Sequence, residues 1–169
     1  VDVLLASACL PTIYKAIEID GVPYWDGGYS GNPSLGPLVR ECGSDDTVLV
    51  QINPVKRPGV PKTSRDIANR LNEVSFNSSL MKELRMIAIL RHDAPTHACE
   101  ASKWGAMRMH CIASDVMLEL DQSSKLNAEW DFMTMLRDKG REAAAKFLRK
   151  HRGDIGERPT LDLDLFAPD

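Results

Sequence analysis

Asp26 stands where an apolar arm, Val22-Pro23-Tyr24-Trp25, meets the glycine pair Gly27-Gly28. A carboxylate delivered by a strand end can face a cleft, and there it can orient or deprotonate a nucleophile. Taken alone, an Asp in a Gly-rich turn is more often a turn residue, because its side chain bonds its own backbone two residues on. Serine hydrolases of the α/β type carry their nucleophile in G-x-S-x-G, and the 169 residues contain no such pattern. Gly28-Tyr29-Ser30-Gly31-Asn32 comes nearest, but Asn32 occupies the place where the last glycine allows close packing, so Ser30 reads as a turn residue. Ser79-Leu80-Met81-Lys82 fits S-x-x-K, yet it falls within a long helical pattern and lacks the companion motifs, so it reads as helix surface.

The histidines, His92, His97, His110 and His151, match no H-E-x-x-H or related spacing and read as scattered, hydrogen-bonded or exposed side chains. His97-Ala98-Cys99 and His110-Cys111 would form a mixed site only if the fold joined them, and nothing in the sequence requires that. Cys9, Cys42, Cys99 and Cys111 are widely spaced with no C-x-x-C pair, so they read as reduced, mostly buried thiols. No metal and no cofactor is expected.

With 27% charged and 43% apolar residues, the chain has the composition of an ordinary globular domain. A net charge of −3 gives no basic field of the kind that holds nucleic acid by counterion release. No run of 18 apolar residues reads as a membrane span. The small-residue run Leu4 to Cys9 imitates an export cleavage site, but it lacks a basic start and a long enough apolar region, so the expected location is the cytoplasm. Val1-Asp2-Val3-Leu4-Leu5 reads like the interior of a fold, and the chain is expected to be a piece of a longer protein.

The elements that must position Asp26 follow from local pattern. Residues 3–10 fit a buried strand end or a short helix closed by Pro11. Ile17-Glu18-Ile19 and Val22-Pro23-Tyr24-Trp25 alternate around Asp20-Gly21, a pair suited to a type I′ hairpin turn. Gly27 and Gly28 permit positive φ and close backbone approach. Asn32-Pro33-Ser34 opens a short helix through Glu41, with Ser34 or Asn32 as cap and Gly43 as stop. Thr47 to Ile52 fits a strand buried on both faces of a parallel sheet. Thr63-Ser64-Arg65-Asp66 resembles a capping box, and a helix follows to about Leu90 with Ile67, Leu71, Val74, Leu80, Leu84 and Ile87 on its packed face. Residues 92–106 show no clear period. Met107 to Ala113 alternates as a half-buried strand, residues 114–130 are irregular, and Phe132 to Leu148 marks a last helix ending near His151 or Gly153. The tail from Thr160 reads as a peripheral strand or as disorder.

Three segments in order resemble the C-terminal part of the patatin-like phospholipases: Ala6-Ser7-Ala8-Cys9-Leu10-Pro11, then Ile19 to Gly28 ending in Asp26-Gly27-Gly28, then Asn32-Pro33. In that family an A-S-x-x-x-P segment precedes a hairpin that ends in a catalytic D-G-G or D-G-A, followed by an N-P pair. Val48 to Pro54 and the helix from Ser64 resemble a bacterial branch with an extended C-terminal region. The resemblance implies an α/β fold, the C-terminal portion of a three-layer α/β/α architecture with a mostly parallel sheet. Residues 1–55 would belong to the catalytic core and residues 56–169 to a helical extension with one or two strands. It further implies a Ser-Asp dyad in which Asp26 is the acid, supported by Gly27, Gly28, Asn32 and Pro33, acting on a lipid or other acyl ester.

The family's serine and its glycine-rich oxyanion loop lie upstream of the matched region, so this chain alone is expected to be inactive. The alternative is a non-enzymatic module that binds a membrane surface or a protein through the basic last helix, which carries Arg137, Lys139, Arg141, Lys146, Arg149, Lys150 and Arg152. Peripheral membrane contact is compatible with either reading. Self-association is expected if the sheet ends on an open strand edge.

Overall fold

The computed structural model describes residues 1–11, 13–92 and 100–166. The chain is a mixed α/β protein with a small parallel sheet. In chain order it runs through helix α1 (Asp2–Ala6), strands β1 (Ile17–Ile19) and β2 (Val22–Tyr24), α2 (Gly36–Glu41) and β3 (Asp46–Gln51). The long helix α3 (Ser64–His92), α4 (Glu100–Ala106), β4 (Arg108–Ala113), the short α5 (Val116–Glu119) and α6 (Trp130–His151) follow. Residues 3–10 thus resolve to a short helix followed by a turn.

The β1–β2 hairpin is antiparallel with Ile19 opposite Val22. Asp20 and Gly21 both take positive φ, 52° and 78°. These are the signs that a type I′ turn demands at both central positions, which is why Asp-Gly suits it. Strands β3 and β4 pair in parallel, with Asp46 opposite Arg108 and Gln51 opposite Ala113, and α3 and α4 make up most of the connection between them.

One core gathers residues from both sides of position 55. Leu35 and Val39 of the α2 region meet Leu80, Leu84, Ile87 and Ala88 of α3, Trp104 of α4, Met107 and Met109 beside and within β4, and Leu163 of the tail. Burial of each large aliphatic side chain contributes about 1.5–3 kcal/mol, so this cluster is the main source of stability. The described part of the tail, up to residue 166, is therefore neither a strand nor peripheral: Leu163 is buried, and the Thr160 and Leu161 N–H groups both donate to the Met109 carbonyl.

Several expectations are corrected. Strand β3 is not buried on both faces: Val50 is 65% exposed and Val48 and Ile52 are also exposed, because on their side of the sheet α6 packs over β4, through Phe147 against His110, and leaves β3 open. Helix α2 starts from Leu35 without a side-chain cap, so neither Ser34 nor Asn32 serves there. On α3 the face buried is Glu73, Asn77, Leu80, Leu84 and Ile87, while Ile67, Leu71 and Val74 lie exposed on a neighbouring face. The start of α3 is a true capping box: Thr63 Oγ1 accepts from the Asp66 N–H at 3.1 Å, and Asp66 Oδ2 accepts from the Thr63 N–H at 3.2 Å. Cys42 is exposed, whereas Cys9 is buried. Helix α6 spends its apolar stripe on the core through Phe147, leaving Lys146, Arg149 and Lys150 exposed. No helix among the described residues is long and apolar enough to cross a membrane.

Candidate active site

The segment Ala6 to Cys9 turns back on the hairpin, with Ala6 and Cys9 buried. The Asp26 N–H donates to the Cys9 carbonyl at 2.9 Å, and the Cys9 thiol donates to the Lys15 carbonyl at 3.0 Å. Trp25 Nε1 donates to the Tyr14 carbonyl at 3.1 Å. These bonds fix the end of the β2 arm against the preceding loop, so Asp26 leaves the hairpin in one direction.

Asp26 then caps a single 3₁₀ turn, Gly27–Tyr29, its Oδ1 accepting the Gly28 N–H at 2.8 Å. The side chain is half-buried. Neither glycine of the pair uses positive φ, contrary to the sequence expectation. Gly28 is needed for close approach: a Cβ there would lie 3.1 Å from Asp26 Oδ1 and 3.6 Å from Cε1 of Phe76. A Cβ on Gly27 would meet nothing within 4 Å. Only the second glycine is constrained by packing.

Downstream, Asn32-Pro33 is a cis peptide, and Asn32 is exposed. Ser79 Oγ on α3 donates to the Pro33 carbonyl at 3.4 Å, and the Leu35 N–H donates to Glu83 Oε2 at 2.9 Å. Burial pushes the Glu83 carboxyl up, and the Leu35 N–H partly offsets it. Asn32 and Pro33 thus belong to the strap that anchors the Asp-Gly-Gly turn to α3.

The turn faces α3 across Phe76, whose ring meets that of Tyr29 edge-on at 5.7 Å. Beside it opens a groove of about 340 Å³, bordered by Gly28, Leu71, Ser75 and Phe76. Gly28 thus borders a depression of mixed polarity, large enough for a small ligand, which Asp26 itself does not line. Ser30 is placed as a turn residue, its hydroxyl donating to the Gly27 carbonyl at 3.0 Å.

A second polar cluster was not legible in the sequence. His110, fully buried on β4, has Nε2 3.0 Å from Asp46 Oδ1 and Nδ1 3.0 Å from Thr160 Oγ1. A carboxylate only accepts, so Nε2 carries the proton and, in the neutral ring, Nδ1 accepts from the Thr160 hydroxyl. Asp46 also accepts from the Gly156 N–H at 2.8 Å and from Arg108 Nη2 at 2.6 Å. The Arg108 hydrogen bond, then those of Gly156 and His110, hold the Asp46 carboxyl far below the usual carboxylate range. The Thr-His-Asp order resembles a hydrolytic triad, but an imidazole with 0% exposure cannot reach a substrate. Its work is structural, tying the tail to the start of both parallel strands.

Of the other histidines, His151 bonds Asp154 Oδ2 at 2.8 Å, and His92 is exposed with Asp164 Oδ1 at 3.5 Å. His97 and Cys99 lie outside the described residues. Among the described residues no group of three His, Cys, Asp or Glu side chains is arranged to hold a metal ion. Comparison of the chain with protein-family models, with curated proteins and with solved structures finds no match.

Proposed function

We propose that this chain supplies the acid half of a Ser-Asp dyad in a lipid acyl hydrolase of the patatin-like type. In this reading residues 1–55 are the C-terminal part of a three-layer α/β/α catalytic core. The serine and its oxyanion donors come from residues outside these 169. The observation that carries the reading is the double restraint on Asp26, whose N–H is held by the Cys9 carbonyl and whose Oδ1 is held by the Gly28 N–H, in a turn whose Gly28 borders a groove. Two of the three segments that resemble the family, the one ending at Pro11 and the one ending at Gly28, are joined by the bond between Cys9 and Asp26.

The chemistry asks little more of Asp26. As the serine oxygen attacks the acyl carbonyl, its proton passes to the Asp26 carboxylate, and the carbonyl oxygen takes up the negative charge. Collapse of the tetrahedral species expels the alcohol, which receives that proton, and leaves the acyl-serine. Water then gives a proton to Asp26 and attacks the acyl carbon; the departing serine oxygen recovers the proton and a carboxylic acid is released. The Cys9 carbonyl fixes the Asp26 backbone and the Gly28 N–H fixes one carboxylate oxygen, which keeps the group in place while it gains and loses charge. No histidine is required, which fits the bonds that engage His110 and His151 within the fold.

The test is p-nitrophenyl ester hydrolysis by the 169-residue chain and by the gene product that includes residues upstream of Val1. Turnover is expected only with the upstream residues, and Asp26→Asn should lower it by about 10³-fold or more. Turnover by the 169 residues alone, or an Asp26→Asn protein at wild-type rate, overturns the reading.

A further inference from the structure

The small groove beside Gly28 continues into a second one, of about 390 Å³, and the two share Tyr29, Ala68, Asn72 and Phe76. One wall of this second groove is apolar, built from Leu10, Ile13, Tyr29, Phe76 and Leu126. A charged group stands where the two grooves meet, beside the shared Phe76 and Asn72. There Lys125 Nζ stands 4.7 Å from the centre of the Phe76 ring, donating to Asn72 Oδ1 at 2.9 Å and to Asn53 Oδ1 at 3.2 Å. An ammonium has three donors, and the two amides use two of them. Arg65 also lines this groove, as does Asp121, whose Oδ1 accepts from the Ser123 hydroxyl at 2.6 Å. Arg65, Lys125 and Asp121 sum to one positive charge, which suits a monoanion better than a dianion or a neutral head. Burial pushes the Lys125 ammonium down from the ordinary lysine value, with Glu73 partly offsetting it, so an anion beside it would be welcomed.

We infer that this groove binds a long-chain aliphatic carboxylate, with its head on Lys125 beside Phe76 and its chain along the wall of Ile13 and Leu126. The carboxylate accepts the remaining Lys125 donor, a charge-assisted bond shielded on one side by the Phe76 ring. The methylenes cover the exposed Ile13 and Leu126 side chains, removing apolar surface from water. The site goes beyond ester hydrolysis and does not require Asp26 to act as a base. Its builders lie on the N-terminal segment, on α3 and on the turn Gln122–Leu126, so it gives the region after residue 55 a ligand-reading role.

The experiment is equilibrium binding of dodecanoate, 1-dodecanol and dodecyl phosphate to the 169-residue chain, each below its micelle concentration. One dodecanoate per chain is expected, with dodecanol weaker by roughly tenfold or more. Lys125→Met keeps the aliphatic stem and should weaken dodecanoate by roughly tenfold while leaving dodecanol unchanged. Ile13→Asp, at an exposed position of the wall, should abolish dodecanoate binding without disturbing the melting temperature. Equal affinity for dodecanol, tighter binding of dodecyl phosphate, or Lys125→Met and Ile13→Asp both binding dodecanoate like wild type overturns the inference. Because binding is read without turnover, its failure leaves the hydrolase reading intact, and the loss of that reading leaves this one standing.

Discussion

Gly28 gives its N–H to Asp26 Oδ1 at 2.8 Å, and a methyl group on Gly28 would stand 3.1 Å from that same oxygen. The hydrogen bond and the absence of a side chain are therefore one device. Gly28→Ala leaves the donor in place but pushes the carboxylate off by a few tenths of an ångström, with the Phe76 ring blocking retreat on the other side. In the hydrolytically competent protein kcat/KM for an ester should fall roughly tenfold, since small misplacement of a catalytic group is costly. Gly27→Ala, which meets nothing within 4 Å, is the control and should keep its rate. Equal rates in the two variants would show that the carboxylate position is not limiting.

Thr63→Ala removes the acceptor for the Asp66 N–H while leaving the Asp66 carboxylate bonded to the backbone N–H of residue 63. Loss of a helix N-cap costs about 1 kcal/mol, which lowers the melting temperature of a chain this size by about 2–4 °C. Asp66, held below its ordinary value first by the Thr63 hydroxyl, should titrate higher in the variant when followed by NMR. An unchanged melting curve and an unchanged Asp66 titration would remove the cap from the account.

That capping box was legible because all its parts lie within four residues, and so was the hairpin, whose Asp20-Gly21 pair states the turn directly. The strand expected over Met107 to Ala113 is present as β4, but its burial does not alternate: Met109 and His110 are both fully buried. Long-range partners explain what could not be read. His110 is satisfied by Asp46 and Thr160, which are 64 and 50 residues away, and no local period records such a match. The early turns of α3 fail for the same reason: Ile67, Leu71 and Val74 keep helical spacing, but the face actually turned inward carries Glu73 and Asn77. Phe76, which joins the Asp-Gly-Gly turn to α3, stands one turn before Leu80 and two before Leu84 in the same stripe, but nothing local names the turn as its partner. At Asp26 the motif was readable in sequence, whereas its contact with Cys9 and the groove beside it needed the fold.

Glu73 is the hub of the middle of α3. Its Oε1 accepts from Arg57 Nη2 at 2.6 Å and its Oε2 from Arg70 Nη1 at 3.1 Å, while Arg57 also donates to the Met117, Leu118 and Leu120 carbonyls. Burial alone would raise its carboxyl, but the Arg57 and Arg70 hydrogen bonds outweigh that and hold it below the ordinary value. Removing one member of a buried ionic network strands the others, at a cost of about 3 kcal/mol. Glu73→Ala should therefore lower the melting temperature by about 6–12 °C. Glu73→Gln, which still accepts one hydrogen bond, should lose less. A melting temperature within 2 °C or so of wild type for Glu73→Ala would show that the network contributes nothing net.

Asp46 sets the acid limit of the fold. Its carboxyl is depressed chiefly by Arg108, then by the Gly156 N–H and His110, so the unfolded chain takes up a proton first as the pH falls. The stabilisation is fully present above the unfolded value near 3.8 and is lost progressively as pH drops below it. Glu73, Asp66 and Asp154 are also held down, so the wild-type chain should lose stability steeply in this range. Asp46→Asn removes one titrating group and turns an amide donor toward Arg108, which should cost about 2–3 kcal/mol at pH 7. Below pH 3 the variant should instead lose stability with a shallower slope, because one fewer proton is taken up on unfolding. Urea midpoints measured at half-unit steps from pH 7 to pH 2.5 decide it. Parallel curves for the two proteins would mean that Asp46 does not link protonation to folding, and converging curves locate that linkage at the junction of β3, β4 and the tail.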